Sequence, residues 1–398
     1  MTTTTPTEPQ TLDAQAILAN ARAIAPVLRE QADESERLRR LTPRTVETLR
    51  AAGAFRMSMP RAWGGPEIDI CTQIEIVEEL SHADGSAGWC VMIGSDSGFY
   101  SSHLDDDVGR RLFPDLDMIT AGWIQPGGEL RPVDGGYRLS GRWQFGSGCT
   151  HADVIVGGAI VLDGDHPAVD RDGFPETRIA VLPADRFTVL DTWDTTGLAG
   201  TGSHDYTADD VFVPADQTLR FRDRRREGTL YAWPSLFYAN FAAVPLGIAR
   251  AALDTARDIL AGKIVRPEMR PARDDPRVRT GVAQATAMVS AARSYVFDVL
   301  GDAWATLETG AELATDQRAA LGTVHGWAAR TCRDAVRLLA DTIGTDSVRR
   351  ASPIERHQRD LSTLCHHIIT QQRFLEVVGA LLLDGASTDH YLFCELLL

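Results

Sequence analysis

Two places in this sequence gather residues that can do chemistry. One is Phe145-Gly146-Ser147-Gly148 inside "GYRLSGRWQFGSGCTHADVIVGG", where a regular strand pattern stops and then resumes. A ring, a hydroxyl that can donate or accept, and two glycines stand together there. Glycine and serine also suit a β-bulge with a capped turn, so the pattern alone leaves both readings open. The other place is His366-His367, adjacent in a helical pattern. Imidazole titrates near ~6.5 and can exchange a proton near neutral pH. Adjacent helical residues lie about 100° apart, so only one of the two should face a given site. His367 shares its face with Thr363, Thr370 and Phe374, beside the apolar stripe Leu361, Leu364, Ile368 and Leu375. His366 shares its face with Arg359, Ser362 and Arg373, a cationic and wetter surface. That phase selects His367. His151, just past the serine, reads as a satisfied loop histidine.

The elements that must position these residues fall into three blocks. Residues 12–31 and 43–53 have helical apolar spacing, 56–69 form a Pro/Gly loop, and 70–82 and 85–100 are helical again. From 118 to 219 short β-type runs alternate with Gly, Pro and Asp turns. From 233 four long helical segments follow, at about 233–262, 276–311, 315–344 and 355–383. The fold class is mainly α with a central β domain. The boundaries are 1–117 for an N-terminal helical domain, with 1–11 a flexible tail, then 118–226 for the β domain and 227–398 for a helical bundle.

Composition narrows the function. The chain has 398 residues and a net charge of −15, which argues against nucleic-acid binding. Its six cysteines form no CxxC pair and no metal-like spacing with histidine, so reduced thiols in a cytoplasmic protein are expected, with no metal. The polar start "MTTTTPTEPQT" is expected to be neither a signal peptide nor a membrane span. No GxGxxG or Walker pattern offers a nucleotide fold for NADH. The basic run "RFRDRRRE" at 220–227 reads as a solvated loop between domains.

The order helices, β domain, bundle, filled with these residues, resembles the acyl-CoA dehydrogenase fold superfamily: N-terminal helical domain, β-barrel-like domain, C-terminal four-helix bundle. The resemblance rests on five stretches in order: "LRAAGAFRMSMPRAWGG", "GYRLSGRWQFGSGCTHAD", "GTGSHDYTADDVFVP", "PLGIARAALDTA" and "GTDSVRRASPIERHQRDL". Dehydrogenases of this superfamily need a carboxylate base. Here both usual seats are empty: no carboxylate lies between Asp360 and Glu376, and the alternative seat in the first bundle helix holds Phe237. The usual Thr-Glu-Pro of the flavin loop is replaced by Ile124-Gln125-Pro126.

A histidine seven residues after the Asp of an Arg-Asp pair, here His367 after Asp360, is instead similar to another branch, the oxygenase components of two-component flavin-dependent monooxygenases. That resemblance implies an enzyme taking FMNH2 or FADH2 from a separate NAD(P)H-dependent reductase and reacting it with O2 through a C4a-(hydro)peroxyflavin. The product would be a hydroxylated small phenolic, aromatic or nitrogen-containing substrate. It implies catalytic roles for His367, which would deprotonate a phenol or position an amine, for Ser147, which would donate a hydrogen bond near the flavin N5, and secondarily for His366. It places Phe145, Ser147, Trp123, Gln125, Gly148 and Ser347 against the flavin, and Trp89, Phe99, Tyr100 and His367 around the substrate. It allows Arg293, Arg349 and Arg350 to reach flavin phosphate. It further implies a homotetramer, no membrane, no nucleic-acid partner, and tighter binding of reduced than of oxidised flavin. A dehydrogenase with a relocated base and a catalytically silent flavin-binding subunit are the alternatives.

Overall fold

The structure is a computed structural model that describes residues 12–170 and 173–384. The expected tail at 1–11 and Cys394 lie outside the described residues. The chain opens with α1 (Ala14–Leu38) and α2 (Pro43–Ala51). The Asp13 carboxylate accepts from Ala16 N–H at 2.8 Å to start α1, and Thr42 caps α2 with Pro43 in its first turn. Asp69 caps α3 (Ile70–Ala83) and Asp84 caps α4 (Gly85–Gly94). The helix expected over 85–100 is split, with α5 running only from Ser97 to Ser101, followed by α6 (Asp106–Leu112). Ser58 causes the break: its hydroxyl donates to Ser95 C=O and accepts from Gly98 N–H, replacing helical bonds with side-chain ones.

The central block is one mixed sheet. Its strands are β1 (Thr120–Val133), β2 (Gly136–Gly146), β3 (Val154–Asp163), β4 (His166–Pro167), β5 (Thr177–Pro183), β6 (Thr188–Leu190), β7 (His204–Pro214) and β8 (Thr218–Leu219). The order is β6-β7-β2-β1-β3-β5-β8, with β4 paired to β3. Only β1 and β3 run parallel; the other pairs are antiparallel. Trp143 fills the sheet's inner face, stacked on Tyr206 at 5.3 Å, with its indole N–H donated to Gly158 C=O at 2.7 Å. A Cβ at Gly157 would lie 2.9 Å from that indole, so the strand can pass only as glycine. The β1–β3 register slips between Trp123 and Gly128. There the Tyr206 phenol accepts from Trp123 N–H at 2.6 Å and donates to Val156 C=O at 2.7 Å, so these two backbone groups keep partners across the slip.

A 3-10 stretch, Pro234–Ala242, leads into α7 (Ala243–Gly262), followed by α8 (Pro276–Glu308), α9 (Thr315–Ile343), α10 (Pro353–Leu364) and α11 (Gln372–Asp384). Pro234–Gly262 is long and apolar enough to cross a bilayer by length and composition, but 83% of its most apolar window is buried inside the fold. It is a core element here. The expected helix over 355–383 is interrupted after Leu364. Thr370 donates its hydroxyl to Cys365 and His367 carbonyls, both at 2.7 Å, and His367 Nδ1 accepts from Ile369 N–H. These local bonds satisfy the helix end and turn the chain. The basic run at 220–227 is tied down rather than free. Arg225 pairs with Asp105, and Arg226 pairs with Asp106 and lies 4.5 Å from the Trp63 ring centre.

The N-terminal helices join the bundle through a buried charge. Glu78 on α3 is 1% exposed and is held by Arg250 of α7 at 3.1 Å and Arg293 of α8 at 2.9 Å. Arg293 is therefore paired with this buried carboxylate. Glu78→Ala should lower stability by ~2 kcal/mol, less than the ~3–5 kcal/mol for leaving a charge stranded, because both arginines can turn to water. Chemical denaturation of the variant beside the native protein measures this. An unchanged midpoint would mean that the trio contributes nothing.

Candidate active site

Elements from all three blocks converge on a cavity of about 340 Å³. α4 supplies Trp89 and Ile93, β1 supplies Gly122 and Trp123, and the end of β2 supplies Phe145 and Ser147. The segment after β6 supplies Trp193, Thr195, Leu198, Thr201 and Ser203, and the broken end of α10 supplies Thr363, Leu364, His366, His367, Ile368 and Gln371. The walls are aromatic and hydroxylated. No aspartate or glutamate is among these lining residues.

The interrupted strand pattern has a physical cause. The β2–β7 register slips between Trp143 and Gly146. Phe145 adopts a left-handed φ of 63° and Gly148 a φ of 76°, conformations that cost a non-glycine residue energy. The turn swings Ser147 into the cavity wall and leaves Phe145 at the rim, 54% exposed. Gly148 N–H donates to Thr201 C=O at 3.0 Å, so it joins two segments of the wall from behind.

The Ser147 hydroxyl belongs to a chain of buried groups. Trp89 Nε1–H donates to Ser147 Oγ at 2.8 Å. Ser147 Oγ is 2.7 Å from Ser203 Oγ, which is 2.7 Å from Thr201 Oγ1, which donates to Leu198 C=O at 2.7 Å. The segment carrying Leu198 is pinned by α10. Asp360 accepts from Leu198 N–H at 2.6 Å, and Gly197 lies so close to α10 that a Cβ would sit 2.1 Å from Arg359 C=O. Leu198 itself holds a left-handed φ of 51°, which the Asp360 bond helps to maintain.

His367 meets Trp89 and Trp123 edge-on, with ring centres 5.3 and 6.4 Å away, and Phe241 at 5.2 Å. Burial among these rings pushes its pKa down to about 4, so an ordinary histidine pKa is not found. Its Nδ1 accepts from Ile369 N–H at 3.4 Å, which leaves the proton of the neutral ring on Nε2. The helical phase argument also fails. α10 ends before the pair, and both His366 and His367 line the cavity, His366 on the exposed side.

Of the residues expected at the site, Trp89, Trp123, Phe145, Ser147, His366 and His367 come together. Gln125 lies beside Trp123 in the irregular part of β1; its buried Nε2 has no partner among the described residues. Phe99 and Tyr100 do not line the cavity. The Ser58 break sends them to a separate aromatic cluster, where Phe237 lies 6.1 and 5.5 Å from their rings. Ser347 sits at the end of α9 and donates to Gly344 C=O at 2.7 Å, outside the wall. His151 is no part of the wall either, nor the satisfied histidine expected: among the described residues both its buried ring nitrogens lack partners, and burial lowers its pKa to about 4. The wall residues Trp193, Leu198, Thr201 and Ser203 were not anticipated, although "GTGS" at 200–203 repeats the small, hydroxylated texture of 146–148.

Known proteins share the fold that carries this cavity. The family description "Acyl-CoA dehydrogenase, C-terminal domain" matches residues 239–372, and "Acyl-CoA dehydrogenase, N-terminal domain" matches residues 11–106. An indole-3-acetate monooxygenase from Acinetobacter baumannii is 30% identical, covering 84% of this chain and 85% of that protein. The oxygenase component of an FADH(2)-dependent resorcinol hydroxylase from a Rhizobium species is 28% identical over 88% of this chain and 90% of its own length. The crystal structure of a 3-HSA hydroxylase from Rhodococcus sp. RHA1 superposes with a TM-score of 0.86 at 26% identity, covering 95% and 98% of the two chains.

The pinning carboxyl gives the fold a pH signature. Burial raises Asp360 to about 7 and its neighbour Asp84 to about 6. Unfolded carboxyls ionise near ~3.9, so the folded state holds protons that the unfolded state releases. Stability should be full below about pH 4 and fall as pH rises through 6 to 7. Asp360→Asn keeps an acceptor for Leu198 N–H and should flatten that decline. Thermal unfolding of both proteins from pH 5 to 8 tests this; parallel curves would dismiss Asp360 as the source.

Proposed function

The chain belongs to the acyl-CoA dehydrogenase family, in its branch of flavin-dependent monooxygenase oxygenase components, and we propose that it hydroxylates a small aromatic substrate with reduced flavin and O2 in the cavity of Ser147, Trp89 and His367. The observation that carries this reading is the convergence of Ser147 and His367 on one aromatic cavity whose lining holds no carboxylate. A dehydrogenase would need such a base beside the substrate. The seat at Phe237 supplies none, since that ring packs 4.9 Å from Phe221 in the separate aromatic cluster.

The residues present fit a flavin. Gln125, two residues past the wall residue Trp123, keeps a buried Nε2 donor without an acceptor among the described residues, and a buried polar group without a partner is costly unless a ligand completes it. Trp123, Phe145 and Trp193 offer flat apolar surfaces around the cavity, with Phe145 6.5 Å from Trp123 and 6.4 Å from Trp193. Reduced flavin, when bound, supplies the electrons that activate O2 for transfer of one oxygen atom to the substrate. The chain's own contributions are exclusion of water by the indole and phenyl walls, a hydrogen-bonding oxygen on Ser147 for the flavin N5 edge, and a neutral imidazole on His367. With Nδ1 occupied, His367 offers the substrate's oxygen or nitrogen a donor from Nε2. Acting as a base requires its Nδ1 to release the 3.4 Å backbone contact.

A separate NAD(P)H-dependent reductase, a cytoplasmic location and a homotetramer complete the reading. The relative named as an oxygenase component supports a reductase partner. The free cysteines among the described residues support a reducing compartment. Exposed Leu375, Leu382 and Leu383 on α11 support burial against further subunits. Sedimentation at micromolar concentration should give four chains; a monomer would remove this part.

Three substitutions test the catalytic assignment. His367→Ala should slow product formation roughly 10²-fold or more, while His366→Ala, at the exposed side, should change it little. The rate should show no His367 ionisation between pH 6 and 8, because its pKa lies at about 4. Ser147→Ala should still consume reduced flavin and O2 but divert more of it to hydrogen peroxide. The measurement is product and peroxide formed per flavin oxidised. If all three variants stay fully coupled, the site lies elsewhere.

A further inference from the structure

The hydroxyl chain behind Ser147 has a direction. Leu198 C=O can only accept, and Thr201 donates its single hydroxyl proton there at 2.7 Å. The 2.7 Å contact between Thr201 and Ser203 therefore uses the Ser203 proton, and the 2.7 Å contact between Ser203 and Ser147 uses the Ser147 proton. Trp89 Nε1 can only donate, and it fills one lone pair of Ser147 Oγ at 2.8 Å. What remains to Ser147 at the cavity surface is one lone pair, so the donor role near N5 that the resemblance implied is replaced by an acceptor, because Ser203 takes the proton. Leu198 C=O, which also receives Trp193 Nε1–H at 3.2 Å and Thr201 N–H at 3.1 Å, has no proton to return and so fixes the end of the chain. Thr201, Ser203 and Ser147 are 0%, 4% and 6% exposed, so bulk water cannot easily supply alternative partners that would let the chain reverse.

We propose that Thr201 and Ser203 are positioning residues that set the redox preference of the site, by locking Ser147 as an acceptor toward the flavin N5. This rests on the placement of the N5 edge at Ser147 made above. Reduced flavin carries N5–H and matches an acceptor. Oxidised flavin presents a lone pair at N5, so it faces the Ser147 lone pair unless the whole hydroxyl chain turns over. The tighter binding of reduced flavin expected of this chain thus has a structural source two and three hydroxyls away from the ligand. It lies in residues that need not touch the isoalloxazine N5.

The test is the ratio of dissociation constants for oxidised and reduced flavin, measured anaerobically by equilibrium binding on the native protein and on Thr201→Val, Ser203→Ala and Thr201→Ser. Thr201→Val keeps the side-chain volume but cannot receive the Ser203 proton, so the chain can reverse and Ser147 can donate. The oxidised-to-reduced ratio should fall by roughly tenfold, the size expected for one mismatched buried hydrogen bond. Ser203→Ala should lower it likewise by freeing the Ser147 proton, and Thr201→Ser, which retains the hydroxyl, should restore the native ratio. A native preference for reduced flavin that Thr201→Val and Ser203→Ala leave unchanged would overturn the relay while leaving the flavin reading intact. Failure of the native protein to bind flavin in either state would remove both.

Discussion

One buried carboxyl fixes the geometry on which the cavity depends. Asp360 of α10 receives Leu198 N–H at 2.6 Å, and Gly197 permits the backbone approach. Through that contact the bundle holds the segment between β6 and β7. Arg359 adds a bond to Thr196 C=O, and Arg39 at the end of α1 donates to Trp193 C=O at 3.2 Å. The left-handed conformation of Leu198 is tolerable because its N–H and C=O both have strong partners. All three blocks of the chain thereby share one wall.

The sheet contributes the other rigid wall. The stacked Trp143 and Tyr206 rings occupy its inner face, and glycines at 127, 128, 141 and 157 clear the space the indole needs. The same Tyr206 phenol ties the irregular stretch of β1 to β3, which sets Trp123 at the cavity and leaves Gln125 buried beside it. A strand defect is thus held rigid by a buried hydroxyl, as expected of bulges at the edge of a site.

Low polarity around the cavity decides how its few polar groups behave. Burial drives the His367 pKa down and so keeps the imidazole neutral. It also makes each hydroxyl proton in the Ser147–Ser203–Thr201 chain count, because no solvent relaxes the order of donors. The proton relation between protein and ligand is therefore set by fixed hydrogen-bond direction, and less by titration.

The sequence by itself determined the three-block order, most element boundaries, and the special character of Phe145 to Gly148 and of the histidine pair. Those signals are local: periodicity, turn residues and glycine spacing act over a few positions. The sequence did not reveal that the last helix breaks between Leu364 and Gln372, because the break depends on Thr370 and His367 capping a turn beneath Trp89 and Phe241. Nor did it place Phe99 and Tyr100 outside the cavity, since Ser58, some forty residues earlier, splits the helix carrying them. Nothing in the local pattern singled out Thr201 and Ser203. Their part in the site depends on the Asp360–Leu198 contact across 162 positions of chain, a pairing that only tertiary packing could make.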